Sequence, residues 1–204
     1  MIYIARHGET DWNREGRYQG QRESQLTDTG VAQARALAVA LSQREIRRVV
    51  SSPLARCVET ARPLAERLGI SVETDPDLIE IAHGTWEGRL RASIEREDPQ
   101  AMRLWREHPE RVQFEGGESL AQVDARWRAF MERTEGGIAI VTHDVIVRLA
   151  ILAAKGAPLS QLWKPRVVNG GYAEFRGGDA WELVEECVAD HLDGLVVDTA
   201  SQAL

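Results

Sequence analysis

Two histidines stand where nucleophilic phosphoryl chemistry could be done. His7 lies in the run Arg6-His7-Gly8-Glu9-Thr10, directly after the apolar segment Ile2-Tyr3-Ile4-Ala5. A neutral imidazole is nucleophilic near pH 7 without an adjacent base. Arg6 offers a planar fork of donors for phosphate oxygens, and Gly8 is expected to let the backbone approach a phosphate. One such histidine alone is more often a structural residue. The second, His143 in Thr142-His143-Asp144-Val145, follows the uncharged run Ile138-Ala139-Ile140-Val141. It ends an expected strand and precedes an expected helix, so nearby amides can face an anion. Arg56, in Ser51-Ser52-Pro53-Leu54-Ala55-Arg56-Cys57, falls in the first turn of another expected helix, which also favours an anion. The block Glu80-Ile81-Ala82-His83-Gly84-Thr85-Trp86-Glu87-Gly88 adds two carboxylates and a histidine between glycine turns.

The elements that must position these residues alternate between strand and helix. Short apolar runs at 2–5, 48–51, 70–74 and 138–141 read as strands. The polar stretch 9–25, broken by Gly16 and Gly20, reads as a loop. Thr27 or Asp28 caps a helix whose apolar positions Val31, Ala34, Leu37, Ala38 and Leu41 recur at helical spacing. Ser52 and Pro53 are expected to open the next helix, which Gly69 ends. A charged stretch up to His108 reads as helical with breaks near Pro99 and Pro109, and Ser119 is expected to cap a helix running through Arg133. Gly177-Gly178-Asp179 reads as a hairpin turn between two late strands. The expected fold is therefore α/β: a three-layer α/β/α sandwich with a mostly parallel sheet and a small helical cap. In such sheets ligands sit beyond the carboxyl ends of the strands, where both His7 and His143 fall.

Composition narrows the function. The 204 residues hold 25 Lys and Arg against 32 Asp and Glu, a net charge of −7. Nucleic-acid binding, which needs a basic footprint, is disfavoured. A small anionic substrate is not, because local arginines outweigh net charge at a site. No run of apolar residues is long enough to span a membrane, and the first residues turn polar too soon for a signal peptide, so a cytoplasmic protein is expected. Cys57 and Cys187 read as reduced thiols rather than a disulfide framework or zinc signature. Arginines beside the histidines argue against a metal site, and no cofactor is expected. His108 and His191 read as surface residues. Trp105, Trp127, Trp163 and Trp181 read as packing, and Trp86 as support beneath the Glu80 loop.

The blocks Arg6-His7-Gly8, Ser51-Ser52-Pro53-Leu54 with Arg56, Gly84-Thr85-Trp86-Glu87-Gly88, Gly116-Gly117-Glu118-Ser119 and the late His143 resemble the histidine phosphatase superfamily, the group of the cofactor-dependent phosphoglycerate mutases. They match in order. Arg17-Tyr18-Gln19-Gly20, Ile79-Glu80-Ile81-Ala82-His83-Gly84 and Val112-Gln113-Phe114-Glu115-Gly116-Gly117-Glu118-Ser119-Leu120 further resemble its metal-independent phosphoserine phosphatases. The resemblance implies one domain over 1–204 with a cap insertion around 89–118. It implies that His7 becomes phosphohistidine, that Arg6, Arg56 and His143 bind phosphoryl oxygens, and that Glu80 is the proton donor. Asn13 with the Gln19-Gly20 backbone would complete the phosphate pocket, and His83 would contact the rest of the substrate. Many relatives carry a small residue where this chain has Asp144. Its carboxylate is expected to point away from phosphate and leave only its amide there. Glu87 is expected to be a structural acceptor.

The implied activity is hydrolysis of a small phosphorylated metabolite, with L-phosphoserine foremost and a homodimer suggested. A phosphoglycerate mutase is the main competitor, although the short stretch between Glu87 and His143 resembles the phosphatases. A broad-specificity or sugar-phosphate phosphatase is another alternative. A non-catalytic phosphate-binding module is disfavoured by the joint presence of His7, Arg6, Arg56, Glu80 and His143.

Overall fold

The structure, a computed structural model, describes residues 1–177, 181–199 and 202–203. Its centre is a six-stranded sheet of β1 (Ile2–Arg6), β2 (Arg48–Ser51), β3 (Val72–Thr74), β4 (Ile138–Thr142), β5 (Tyr172–Arg176) and β6 (Glu182–Val188). The order across the sheet is β3-β2-β4-β1-β5-β6. The first four of these are mutually parallel, and β5 and β6 join antiparallel. All five residues of β1 and all five of β4 are buried, as strands covered on both faces must be.

Successive side chains of β1 point to opposite faces, which splits the core in two. Tyr3 and Ala5 join Val49, Ala139 and Val141 against α2 (Asp28–Leu41) and α3 (Ala55–Leu68). Ile2 and Ile4 join Ile138 and Ile140 against α6 (Leu120–Glu132) and α7 (Asp144–Lys155). Each fully buried aliphatic side chain in these layers contributes about 1.5–3 kcal/mol relative to exposure. Between β3 and α6 lie α4 (Arg91–Glu97) and α5 (Pro99–Glu107), whose Ile94, Met102 and Trp105 extend the second core. No helix among the described residues is long and apolar enough to cross a membrane.

Three local expectations need correction. The stretch 9–25 is not all loop: Asp11–Glu15 form a helix, α1. The Thr10 hydroxyl accepts from the Asn13 amide, and the Asn13 side chain accepts from the Thr10 amide, so capping holds a turn that has no apolar periodicity. Helix α3 begins at Ala55 with Leu54 as its cap, later than Ser52-Pro53 suggests; Ser52 is engaged elsewhere. His191 is half-buried rather than a plain surface residue, and its Nε2 donates to the Gly170 carbonyl at 2.9 Å. Trp105 and Trp127 are core residues as expected. The turn expected at Gly178 and Asp179 lies outside the described residues.

Gly8 is also required for packing. A Cβ there would lie 2.5 Å from the Gly30 carbonyl oxygen, and a Cβ on Gly30 would lie 2.0 Å from that of Glu9. The paired glycines let the start of α2 press against the chain that follows His7. This contact locks the loop beyond β1 onto the helix layer.

Candidate active site

Parallel pairing sets the geometry of the site. β1 and β4 run in register from Ile2 opposite Ile138 to Arg6 opposite Thr142, so His7 and His143 leave the sheet side by side. The His7 amide donates to the Thr142 carbonyl at 2.9 Å. The two imidazoles lie edge to face with centroids 5.3 Å apart. From β2, the neighbour of β4, Ser52 reaches His143: its hydroxyl lies 2.8 Å from Nε2. Arg6, His7, Asn13, Gln19, Gly20, Arg56, Glu80, His83, Asp144 and Val145 line one cleft at this sheet edge, together with Ala203. Of the catalytic and binding candidates from the sequence, His143 alone is not on the cleft wall; it is fully buried, with its ring packed on that of His7.

Each side chain there is held by specific partners. His7 Nδ1 lies 2.7 Å from the Gly8 carbonyl, an acceptor only, so Nδ1 carries the proton and Nε2 keeps its lone pair. Burial, then Arg56 and Arg6, push its pKa well below the ordinary value, so the ring is neutral. Burial and the same arginines act likewise on His143. Arg56 is fixed by donation to the Gly20 carbonyl at 2.7 Å and the Arg22 carbonyl at 2.8 Å, which leaves its buried Nε unpartnered. Gln19 accepts from Thr10 and Ser24 hydroxyls through Oε1.

Glu80 follows β3 and is buried, with the Ile81 amide donating to its Oε1 at 2.9 Å. Burial raises its pKa to about 7, with the Asp144 charge adding to the rise and the Ile81 bond, Arg56 and Arg6 opposing it. Such a carboxyl can both give and take a proton near neutrality. Glu87, by contrast, accepts from the Gln21 and His83 amides at 3.1 and 3.0 Å and thereby ties two loops together. His83 is ringed by Tyr18, Trp105 and Phe114, and neither of its nitrogens has a protein partner. Burial lowers its pKa to about 3, so this ring too is neutral.

Asp144 departs from expectation. Its carboxylate does not turn away but lies 3.3 Å from Arg6 Nη1, and Arg148 Nε donates to its other oxygen at 2.5 Å. Arg148 is anchored in turn to the Pro165 carbonyl. Two arginines on one buried carboxylate account for its retention in an anion site.

Some members of the site escape sequence reasoning. Asn169 is fully buried before β5, and its Nδ2 donates to the His7 carbonyl at 3.2 Å and to Asn13 Oδ1 at 3.3 Å. Thr60 accepts from the Gly8 amide at 3.0 Å. Gln202 reaches Arg6 and Asn13. Their partners are distant in sequence, and no spacing rule reaches that far; the turn-forming Asn169-Gly170-Gly171 is the one local signal. Among the described residues no group of three or more His, Cys, Asp or Glu could hold a metal ion.

The family profile described as Histidine phosphatase superfamily (branch 1) matches residues 2–186. The chain belongs to this superfamily. Phosphoserine phosphatase 1 of Hydrogenobacter thermophilus is 36% identical over 177 residues, 84% of each chain. The probable phosphoglycerate mutase GpmB of Serratia proteamaculans is 36% identical over 167 residues, covering 78% of this chain and 76% of that protein. Among solved structures, Bacillus stearothermophilus YhfR superposes with a TM-score of 0.87 at 31% identity, covering 94% of this chain and 98% of that one. As a histidine phosphatase, the protein is a phosphoric monoester hydrolase.

Proposed function

We propose that this histidine phosphatase hydrolyses L-phosphoserine without a metal, through a phosphohistidine on His7. The observation that carries the covalent step is the 2.7 Å contact of His7 Nδ1 with the Gly8 carbonyl, which commits the ring proton to Nδ1 and leaves Nε2 free to attack. Nε2 forms a bond to phosphorus as the bond from phosphorus to the leaving oxygen breaks. Glu80 gives its proton to that oxygen. Water then attacks the phosphohistidine, Glu80 takes a proton from it, and the phosphorus–nitrogen bond breaks to regenerate neutral His7. Arg6 and Arg56, which line the cleft, stabilise the charge on the equatorial oxygens, with Asn13 and the Gln19-Gly20 backbone completing the pocket; the family resemblance adds His143, whose ring lies behind that of His7.

Substrate choice rests on His83 and on likeness to the Hydrogenobacter phosphatase. A buried neutral imidazole without a protein partner is suited to donate one N–H to a substrate carboxylate. Trp105 and Phe114, which pack on His83, come from the stretch 89–118, so this insertion acts as a cap that shapes the rim of a single-domain enzyme. Free thiols at Cys57 and Cys187 support a reducing, cytoplasmic setting.

Turnover across a panel of phosphorylated metabolites tests the substrate. Both phosphoserine and 3-phosphoglycerate carry the carboxylate that His83 would meet; they differ in an ammonium against a hydroxyl, so the expected preference for phosphoserine, roughly ten- to a hundredfold in kcat/KM or about 1.4–2.8 kcal/mol, comes from acceptors paired with the ammonium. Equal turnover would remove phosphoserine as the substrate. Conversion of 3- to 2-phosphoglycerate without phosphate release would favour the mutase reading that the Serratia relative suggests. Undiminished hydrolysis in a strong chelator is expected, and loss with rescue by a divalent ion would contradict the metal-free step.

A further inference from the structure

The phosphate donors of the cleft already hold an oxygen from the protein itself. Gln202 is buried with its side-chain Oε1 2.6 Å from Arg6 Nη2 and 3.2 Å from Asn13 Nδ2, both of which donate to it. Its Nε2 donates to Asn169 Oδ1 at 2.8 Å, and Arg91 Nη1 donates to its main-chain carbonyl at 3.2 Å. Ala203, also buried, lines the cleft beside His7 and Glu80. With this segment in place a cavity of only ≈ 20 Å³ remains beside these donors.

We propose that Gln202 is an internal competitor for the phosphate position, and that substrate binds only when its carboxamide withdraws from Arg6 and Asn13. The inference rests on the reading of those two residues as phosphate donors and adds a regulatory contact to it. The carboxamide is a suitable occupant because it is neutral. It satisfies donors that would otherwise be buried without partners, yet it forms weaker bonds to a guanidinium than a phosphate dianion does. A dianion facing both Arg6 and Arg56 therefore displaces it, whereas water or a neutral metabolite does not. Apparent affinity for any phosphate ligand falls by the fraction of molecules in which the segment is withdrawn. Asn169 couples the contact to the nucleophile, since one amide group receives Gln202 and donates to the His7 carbonyl. The hold is built from a few hydrogen bonds, among them the donation of the Gln202 amide to the Thr199 carbonyl at 3.1 Å. Its release breaks no strand pairing and takes only the small side chain of Ala203 from the core layer of Ile2 and Ile4.

The test is titration of the full chain with inorganic phosphate, read by calorimetry. Gln202→Ala should bind phosphate roughly three- to thirtyfold more tightly than the parent, the size of effect expected when a modest competing contact is removed. Unchanged or weaker binding by the variant would overturn the proposal. Failure of both proteins to bind phosphate would remove the phosphate reading of Arg6 and Asn13 and the competitor with it. A second measurement needs no variant. Hydrogen exchange in the peptide spanning 196–203 should quicken when the parent protein is saturated with phosphate. Slowed or unaltered exchange would mean that Gln202 stays in place beside the ligand, against the proposal.

Discussion

The carboxylate of Asp144 lies 3.3 Å from the guanidinium of Arg6, with both side chains buried at the end of the sheet. A phosphate site would be expected to exclude a carboxylate. Here Arg148 supplies a second positive charge, so the group of three carries a net +1 toward the cleft. Asp144 holds Arg6 in place, and its charge adds to the burial that raises the pKa of Glu80, while Arg6 opposes that rise.

Removing the Asp144 charge should therefore separate stability from binding. Asp144→Asn leaves Arg6 and Arg148 without their counter-charge, and breaking a buried pair in this way costs up to about 3–5 kcal/mol. The urea midpoint should fall. Inorganic phosphate should bind the folded variant more tightly, because the cleft has gained positive charge. Weaker binding by a folded variant would mean that Asp144 serves mainly to aim Arg6.

Glu80 predicts a pH dependence with a definite sign. Its pKa is raised to about 7, so the acid form is lost as pH rises through that value. For a serine-type ester, kcat/KM should fall above about pH 7. In Glu80→Gln that limb should vanish while the rate drops roughly 10²–10⁴-fold. An aryl phosphate, whose leaving group needs little protonation, should show a far smaller loss in the phosphorylation step. Equal losses for both esters would take Glu80 out of the acid role.

His83→Ala should discriminate by substrate. Phosphoserine has a carboxylate to lose a donor from, and its kcat/KM should fall roughly tenfold or more. An aryl phosphate has none and should be nearly unaffected. Parallel losses on both substrates would indicate that His83 supports the packing of Tyr18, Trp105 and Phe114 rather than the substrate.

Much of this site is legible in the amino-acid sequence because strand ends concentrate it. β1 and β4 announce themselves as uncharged apolar runs, and a histidine follows closely on each. Parallel pairing then brings His7 and His143 together whatever lies between them. The features that stay hidden have a common cause. Helix α1 rests on a polar capping exchange between Thr10 and Asn13, which leaves no apolar stripe to detect. Asp144 defies its local sequence because its orientation depends on Arg148, one helical turn away, being pinned to the Pro165 carbonyl. Asn169 and Gln202 act through partners at the opposite end of the chain, and only the folded sheet edge brings them within reach.

The covalent step on His7 is the centre of the account, and trapping it is the most direct measurement. Brief mixing with phosphorylated substrate, followed by rapid alkaline quench and peptide mapping, should find phosphate on His7 as an acid-labile, base-stable phosphoramidate. The free Nε2 left by the Nδ1–H donation to Gly8 predicts attachment at that nitrogen. Phosphate on Ser52 or Cys57, or turnover with no phosphoenzyme at any quench time, would contradict it.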